Sequence, residues 1–377
     1  MAKNLGYRVV VTDMYSERPG YKWADEHAVV DITDIDATLA AARRFNVDGI
    51  VCDTTDVGVP TMAYVAEKLG LPGIGYETAL NFTNKHRMRV ITSQAGVPNP
   101  TFHLVHGYAK AKSAALELQY PVVVKPPDNQ SSRGVHVVNT PDQMEPAYLD
   151  AMQYSRAGGV IVESFLDGVE VTVESFCVNR NVFAVGISDK DHFNHRPEVA
   201  NRLTYPADFP EKVMSRIREV NEKAVIALGM CTGITHAEYM VVGNEVYLVE
   251  IAARGAGSRV YSHIVPHLAC APIPSLYLRY LMGEGINFST DETSDRAANL
   301  AFFCFEPGYV TAIEGVECAT KIPGVQEILL EFQVGDRLAL PVDDRSRHGL
   351  VLVLGTNRAE VLTAAEEALR TVKVTVQ

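Results

Sequence analysis

The sequence has no long hydrophobic run. Its apolar segments fall well short of the roughly 18 consecutive residues that a membrane-spanning helix needs. The N-terminal stretch "MAKNLGYRVVV" also lacks the apolar segment and small-residue cleavage site of a secretory signal. We therefore expect a cytoplasmic protein with no membrane partner.

Cysteine and positive charge are also scarce. The six cysteines form no C-x-x-C pair and show no metal-type spacing, so we expect free thiols in a reducing compartment. The formal net charge of -12 argues against a nucleic-acid partner, which normally requires a basic face. A polyanion such as ATP would have to be held by local lysines, arginines and metal ions against this overall field.

The chain has 377 residues, of which 47% are hydrophobic and 21% charged, so two or three globular domains are expected. Residues 1–80 alternate short apolar runs with helical patterns, which indicates a parallel α/β layer. The runs are "YRVVV", "DGIVCD" and "PGIG", and the helices are "DATLAAARRF" and "VPTMAYVAEKLG". Such a layer would lack its first strand, either because the start is truncated or because the sheet is one strand short.

Residues 81–296 are built differently, from a helix over "TNKHRMRVITSQAG" and then several strands. The polar segment "SDKDHFNHRPEVANRLTYPADFP" is long enough to predict a functional lid. A strand-rich C-terminal segment, residues 297–377, has turns at Pro307-Gly308, Pro323-Gly324 and Gly335-Asp336 and ends on the helix "RAEVLTAAEEALRTV".

A hairpin over "HAEYMVVGNEVYLVEIAARGAGS" carries one glutamate on each strand, Glu238 and Glu250. A two-residue turn would leave Glu238 opposite Val249, whereas a three-residue loop sets it opposite Glu250. In the second register the carboxylates repel unless a cation neutralises them, and Mg²⁺ prefers such oxygen ligands. The alternative is that both glutamates lie at the strand rims in solvent.

Two more segments carry polar residues at strand ends. In "VVVKPPDNQSSRGVHVV", Lys125 ends a strand before a Ser/Gly loop that could direct N–H groups at a phosphate. In "VIVESFLDGVEVTVESF", a hinge between strands could read an adenine edge while a carboxylate accepts from ribose hydroxyls. A strand-end lysine in solvent and an ordinary hairpin with exposed acids are the plainer interpretations. No Walker loop is present in the sequence.

These three segments, in this order, resemble the ATP-grasp ligases, and most closely the carboxylate–amine ligases such as the L-amino acid ligases. The resemblance implies an α/β fold (α+β ATP-grasp), with a two-lobed catalytic region between the N-terminal parallel α/β layer and a small strand-rich C-terminal segment. It implies ATP and Mg²⁺ as cofactors. The nucleotide residues it implies are Lys85, Lys125, Ser131, Ser132, Gly134, Glu163, Phe165, Leu166 and Glu170.

The resemblance also implies that Glu238 and Glu250 hold Mg²⁺ and that Arg254 and Lys125 act in catalysis. The sequence departs from the common E-x-N form by carrying Ala252 where an asparagine ligand often lies, which puts a second metal ion in question. The residues expected to contact the substrates are His192, His195, Arg196, Ser258, Arg259 and His263.

The function that follows is an ADP-forming ligase that activates a carboxylate as an acyl phosphate and couples it to an amine. Two alternatives stay open. One is an ATP-grasp carboxylase that uses bicarbonate, and the other is an impaired ATP-binding regulatory protein. The expected partners are small-molecule carboxylates and amines, and a homodimer is the expected assembly for a cytosolic enzyme of this size.

Overall fold

The computed structural model describes residues 1–129, 133–156, 158–289 and 295–377. Residues 1–94 hold one parallel strand pair followed by four helices. These elements are β1 (Val10–Asp13), β2 (Glu26–Val29), α1 (Ile35–Phe45), α2 (Val59–Leu69), α3 (Tyr76–Thr83) and α4 (Lys85–Gln94). The α/β layer therefore exists, but its parallel sheet has two strands in the described residues.

The predicted strands at 48–53 and 72–75 do not form, while β2 arises where none was expected. Gly49 explains part of this difference, because it packs directly on the end of a later helix. A Cβ at Gly49 would meet the carbonyl oxygen of Leu281 at 3.0 Å. The segment is therefore fixed by packing against that helix rather than by strand pairing.

A small lobe follows, with a four-stranded antiparallel sheet in the order β3-β6-β4-β5. Its elements are β3 (Phe102–Val105), α5 (Tyr108–Leu118), β4 (Val122–Lys125), β5 (His136–Val138), α6 (Met144–Tyr154) and β6 (Val160–Ser164). Val122, Val124, Val160 and Val162 are fully buried against the alanine-rich faces of the two helices. The strand predicted to end at Lys125 is confirmed as β4.

The central region consists of β7 (Val169–Val178), β8 (Asn181–Phe193), β9 (Arg196–Tyr205), α7 (Glu211–Ala227), β10 (Gly233–Val242), β11 (Glu245–Ala252), α8 (Val265–Ala269) and α9 (Ile273–Leu281). The predicted lid at 188–210 is wrong, because most of it forms the β8–β9 hairpin. Val199, Ala200 and Leu203 supply the apolar contacts that hold this hairpin in the core.

The C-terminal segment contains β12 (Ala297–Phe302), β13 (Gly308–Glu314), α10 (Val316–Ala319), β14 (Val325–Leu330), β15 (Arg337–Leu338), β16 (Gly349–Gly355), α11 (Arg358–Thr371) and β17 (Lys373–Val376). Three of its strands continue the central sheet, in the order β11-β10-β7-β8-β9-β12-β16-β14. The others form a small sheet, β15-β13-β17. The predicted final helix is confirmed as α11.

Two expectations about the chain as a whole can be compared with the structure. All six cysteines are free thiols. Among the described residues, no helix has both the length and the apolarity required to cross a membrane.

Candidate functional site

A cavity of about 840 Å³ lies between the small lobe and the eight-stranded sheet. Every part of the chain contributes to its wall. Asp56 comes from the N-terminal segment, Lys85 from α4, Lys125 from the small lobe, Glu238 from the central sheet and Arg347 from the C-terminal segment. Polar side chains that are far apart in sequence therefore converge on one cavity.

Glu238 and Glu250 lie directly opposite each other on β10 and β11. The turn nevertheless has only two residues, since Val242 pairs with Glu245. The register changes at a β-bulge, where Tyr239 pairs with Leu248 and the next pair is Glu238 with Glu250. The predicted pairing is present, but a bulge at Val249 produces it rather than a three-residue loop; such bulges often re-aim side chains beside active sites.

Each of these two carboxylates is held by a lysine from a different element. Lys85 donates to Glu250 at 2.7 Å and to the backbone carbonyl of Asn129 at 2.5 Å. Lys190, on β8, donates to Glu238 at 2.7 Å and to Glu170 at 2.6 Å. Part of the charge balance that the sequence assigned to a metal is thus supplied by the protein itself.

Electrostatic interactions favour the ionised forms of both Lys190 and Glu238. Burial alone would raise the pKa of Glu238, but Lys190 and His236 lower it to about 2. Burial likewise opposes the charge on Lys190, but Glu170 and Glu238 raise its pKa above the ordinary value. Opposite charges this close favour the charged forms.

Glu163 forms a second buried cluster with two cations. Arg89 Nε and Lys125 Nζ lie 2.8 Å and 2.6 Å from its two carboxylate oxygens, and all three side chains are almost completely buried. Burial opposes ionisation of Glu163, but Arg89 and Lys125 lower its pKa to about 2. Burial lowers the pKa of Lys125; Glu163 opposes this effect, and the neighbouring Arg89 adds to it.

Glu170, Phe165 and Leu166 all line the cavity, at the predicted hinge between the lobes. Glu170 accepts from Lys190 and contacts His192 Nε2 at 2.8 Å. The N–H of Phe165 donates to the carbonyl of Pro121 at 3.3 Å, which ties the hinge to the small lobe.

His236 lies opposite Glu174 on β7. Its Nδ1 contacts Glu174 Oε1 at 2.7 Å, and its Nε2 lies 3.9 Å from Glu238. Burial disfavours the imidazolium, but Glu174 raises the pKa of His236 above its ordinary value. The imidazole is therefore fixed in orientation beside the carboxylate pair.

Arg254 is held in a bidentate ion pair with Asp56, at 2.8 Å and 3.0 Å. Planar pairing of this kind fixes the guanidinium plane as well as its position. Ser258, four residues later, also lines the cavity. Both residues were predicted for the site, and the structure brings them to the same wall.

Not every predicted residue can be assigned to the cavity. Ser131 and Ser132 lie outside the described residues. Gly134 packs on α6, where a Cβ would come within 2.8 Å of the Tyr154 ring. Four residues that were predicted to contact the substrates are not among the described residues that line the cavity. They are His195, Arg196, Arg259 and His263.

These four residues have contacts of their own. His195 contacts the carbonyl of Pro341 at 2.9 Å, and Arg196 lies 3.4 Å from Glu198. His263 contacts Ser262. Arg259 has a left-handed backbone and pairs with Glu327 on β14, at 2.6 Å and 2.8 Å.

Residues that the sequence reasoning missed include His236, Arg89, Lys190, Asp56 and Arg347. Arg89 follows Lys85 by four positions on α4, so helical periodicity indicates a shared face. Lys190 precedes His192 by two positions, which strand alternation also places on one face. No local pattern indicates Asp56, which pairs with a residue 198 positions away.

Arg347 is the missed residue with the most unusual environment. Its side chain is 10% exposed, donates to Asp344 at 2.6 Å, and lies over the Phe302 ring at 3.8 Å. Its Nε finds no hydrogen-bond partner among the described residues, and burial lowers its pKa. A buried guanidinium with a spare donor beside a cavity is suited to an anionic group.

The donor set around the hairpin fits Mg²⁺ bound together with phosphate. Glu238 and Glu250 offer only carboxylate oxygens, and Ala252 offers no ligand. Within the described ranges, no group of three or more His, Cys, Asp or Glu side chains is arranged to hold a metal ion. Two carboxylates need further oxygen ligands, and Mg²⁺ commonly takes them from substrate phosphates and water.

Two family models match the chain. Residues 118–262 match an ATP-grasp domain, and residues 301–377 match the L-amino acid ligase C-terminal domain 2. The first range contains Lys125, Glu163, Glu170 and the Glu238/Glu250 pair, and the second contains Arg347.

Individual proteins show the same similarity. A formate-dependent phosphoribosylglycinamide formyltransferase from Synechococcus sp. is 28% identical over 378 residues, which span 99% of this chain and 92% of that protein. The L-amino acid ligase of Bacillus licheniformis has the same fold, with a TM-score of 0.86, 23% identity, and coverage of 100% of this chain and 94% of that one. The phosphoribosylglycinamide synthetase of Anaerococcus prevotii gives a TM-score of 0.79 at 19% identity, covering 100% and 95%.

Proposed function

Because this chain belongs to the ATP-grasp ligases, a family of enzymes that use ATP and Mg²⁺, we propose that it activates a small carboxylate and joins it to an amine. The carboxylate would attack the γ-phosphate of ATP and form an acyl phosphate with release of ADP. The amine would then attack the activated carbonyl and release phosphate. We also propose the division into residues 1–80, 81–296 and 297–377, with a cytoplasmic homodimer as the working form.

The observation that carries this proposal is an excess of buried positive charge on the side of the cavity formed by α4 and β4. Arg89, Lys125 and Lys85 are each about 5% exposed or less, and they share the carboxylates of Glu163 and Glu250. A buried cation that lacks a full counterion is costly unless a ligand supplies the missing charge. A triphosphate in the cavity would supply it.

The proposed roles follow from these positions. Lys125 and Lys85 would contact phosphate oxygens, and Glu170 would accept from ribose hydroxyls at the hinge formed by Phe165 and Leu166. Glu238 and Glu250 would hold Mg²⁺, which when bound offsets negative charge on the phosphates. Glu163 positions Lys125 through their ion pair.

Arg254 is the residue proposed to stabilise developing negative charge at the reacting carbonyl. Asp56 holds its guanidinium at the cavity wall, so little reorganisation is needed when the charge develops. On the substrate side the proposal retains His192 and Ser258 and adds Arg347 as the group that would bind an anion of the substrate. No side chain needs to act as a covalent nucleophile in this scheme.

The carboxylate itself is not fixed by these positions. The bicarbonate-dependent carboxylase remains an alternative, and one similar protein is named for formate dependence. Both alternatives also begin with transfer of the γ-phosphate to a small carboxylate, so they are separated by the substrate that stimulates turnover.

The test is release of ADP and phosphate from Mg-ATP in the presence of pooled amino acids, other small carboxylates, formate or bicarbonate, with and without amines. We expect release that depends on a carboxylate and is lost in Glu250→Gln. Glu245→Gln is the matched control, because Glu245 lies on the same strand but is exposed. An active Glu250→Gln enzyme contradicts the site, and ATP binding without release from any pool favours a regulatory protein.

A further inference from the structure

We propose that Lys85 and Lys190 are internal counterions that occupy Glu250 and Glu238 until metal and nucleotide arrive together, so that the site discriminates against free divalent metal. This inference rests on the proposed metal role of the two glutamates. It goes further by assigning Lys190 a function and by predicting how metal and nucleotide binding depend on each other.

The two lysines approach the carboxylate pair from separate elements. Lys190 lies between Glu170 and Glu238, at 2.6 Å and 2.7 Å, and its side chain is 13% exposed. Lys85 reaches Glu250 from α4 at 2.7 Å, and its side chain is 7% exposed. Neither ammonium group is a mobile surface charge, and each carboxylate already has a close cationic partner.

A divalent ion that enters without nucleotide would have to compete with both ammonium groups. Each displaced lysine would then stay in a poorly solvated wall next to a second cation, which is unfavourable at low dielectric. Phosphate oxygens remove this penalty, because they accept from the displaced lysines. Metal and nucleotide should therefore bind with strong positive coupling, and linkage requires each to raise the affinity for the other by the same factor.

The experiment measures binding of Mn²⁺, as a probe for Mg²⁺, by electron paramagnetic resonance in the absence of nucleotide. In Lys190→Gln we expect free Mn²⁺ to bind at least about fivefold more tightly than in the wild type, since coupling of this kind spans about 5–150-fold. Lys190→Arg keeps the counterion and should stay near the wild-type affinity. The double variant Lys190→Gln/Glu238→Gln should lose the gain, because the freed carboxylate is gone.

A second readout uses a non-hydrolysable ATP analogue. Mn²⁺ should increase the affinity for the analogue less in Lys190→Gln than in the wild type. In the variant the metal displaces no lysine at position 190, so the phosphates no longer relieve that penalty. If Lys190→Gln does not fold, Lys85→Gln applies the same test to Glu250 from an independent element, with the same expected gain in affinity for free Mn²⁺.

The outcomes separate this inference from the proposed function. If the wild type binds no Mn²⁺ even with the analogue, the proposed metal site itself is wrong. If the wild type binds the Mn²⁺–analogue complex but the glutamine variant binds free Mn²⁺ no more tightly than the wild type, the counterion role is wrong and the proposed function stands. A gain that persists in the double variant also overturns the inference.

Discussion

Glu163 shows why single ion pairs matter so much in this site. It is 3% exposed and accepts from both Arg89 and Lys125, so it neutralises one of two buried cations. Its pKa in the folded protein is lowered to about 2, whereas an ordinary glutamate titrates near about 4.3. Its charge therefore stabilises the fold above the ordinary pKa, and this contribution is lost as the pH falls through about 2.

Glu163→Gln should destabilise the protein by about 3–5 kcal/mol at neutral pH, because it leaves Arg89 and Lys125 buried without a counterion. The measurement is the free energy of unfolding from denaturant titration. The control is Glu211→Gln, which removes an exposed partner of Arg218 and should cost less than about 1 kcal/mol. Equal stability of the two variants would contradict the buried charge cluster.

The sequence was sufficient to predict Lys85, Lys125, Glu238, Glu250 and Arg254 as cavity residues. Strand ends, the hairpin and the resemblance to a known family all lie in local sequence. The partners of these residues were not predictable, because Lys85 and Glu250 are 165 positions apart and Arg254 and Asp56 are 198 apart. Pairing at such separations is set by how the lobes pack, which no periodicity records.

At the scale of the elements, the decisive feature is the bulge in β11. It allows a tight two-residue turn and still sets Glu250 opposite Glu238. Arg89 Nη2 donates to the carbonyl of the bulged Val249 at 2.6 Å, while the same guanidinium holds Glu163. Helix α4 therefore links the small lobe to the β10–β11 hairpin.

Arg89→Lys should weaken binding of Mn²⁺ with a non-hydrolysable ATP analogue by about tenfold or more, although the charge is kept. An ammonium cannot span the sites that the guanidinium fork reaches. A lost hydrogen bond to a charged group costs about 1.5–3 kcal/mol, and every 1.4 kcal/mol is about tenfold. Calorimetry measures the affinity, and Arg87→Lys, exposed on the same helix, is the control. Wild-type affinity in Arg89→Lys would show that α4 does not organise the site.

Element prediction succeeded where periodicity was strong and failed where composition misled. The strand that ends at Lys125, the helix over "TNKHRMRVITSQAG" and the final helix are present as β4, α4 and α11. The segment at 188–210 looked like a lid because it is rich in charge, yet its polar residues include Lys190 and His192, which point at the Glu170 carboxylate. A polar strand face is hard to distinguish from a loop by composition when the face lines a functional cavity.

At the scale of the whole molecule, all segments of the chain meet at the cavity in the described structure. Helix α4 and the small lobe provide buried cations, the central sheet provides the carboxylate pair, and the N- and C-terminal segments provide Asp56 and Arg347. Local motifs were enough to predict the fold and several cavity residues, whereas the substrate could not be predicted. The proposed substrate contacts, His192, Ser258 and Arg347, come from elements that are distant in sequence.

The central claim is that a substrate carboxylate attacks the γ-phosphate of ATP. Once the activating carboxylate is known from the release assay, it can be supplied with heavy oxygen in both carboxylate positions, and the products can be analysed by mass spectrometry. Attack by the carboxylate places one heavy oxygen atom in the released phosphate and none in the nucleotide. Heavy oxygen in AMP, or phosphate that carries only solvent oxygen, would contradict it.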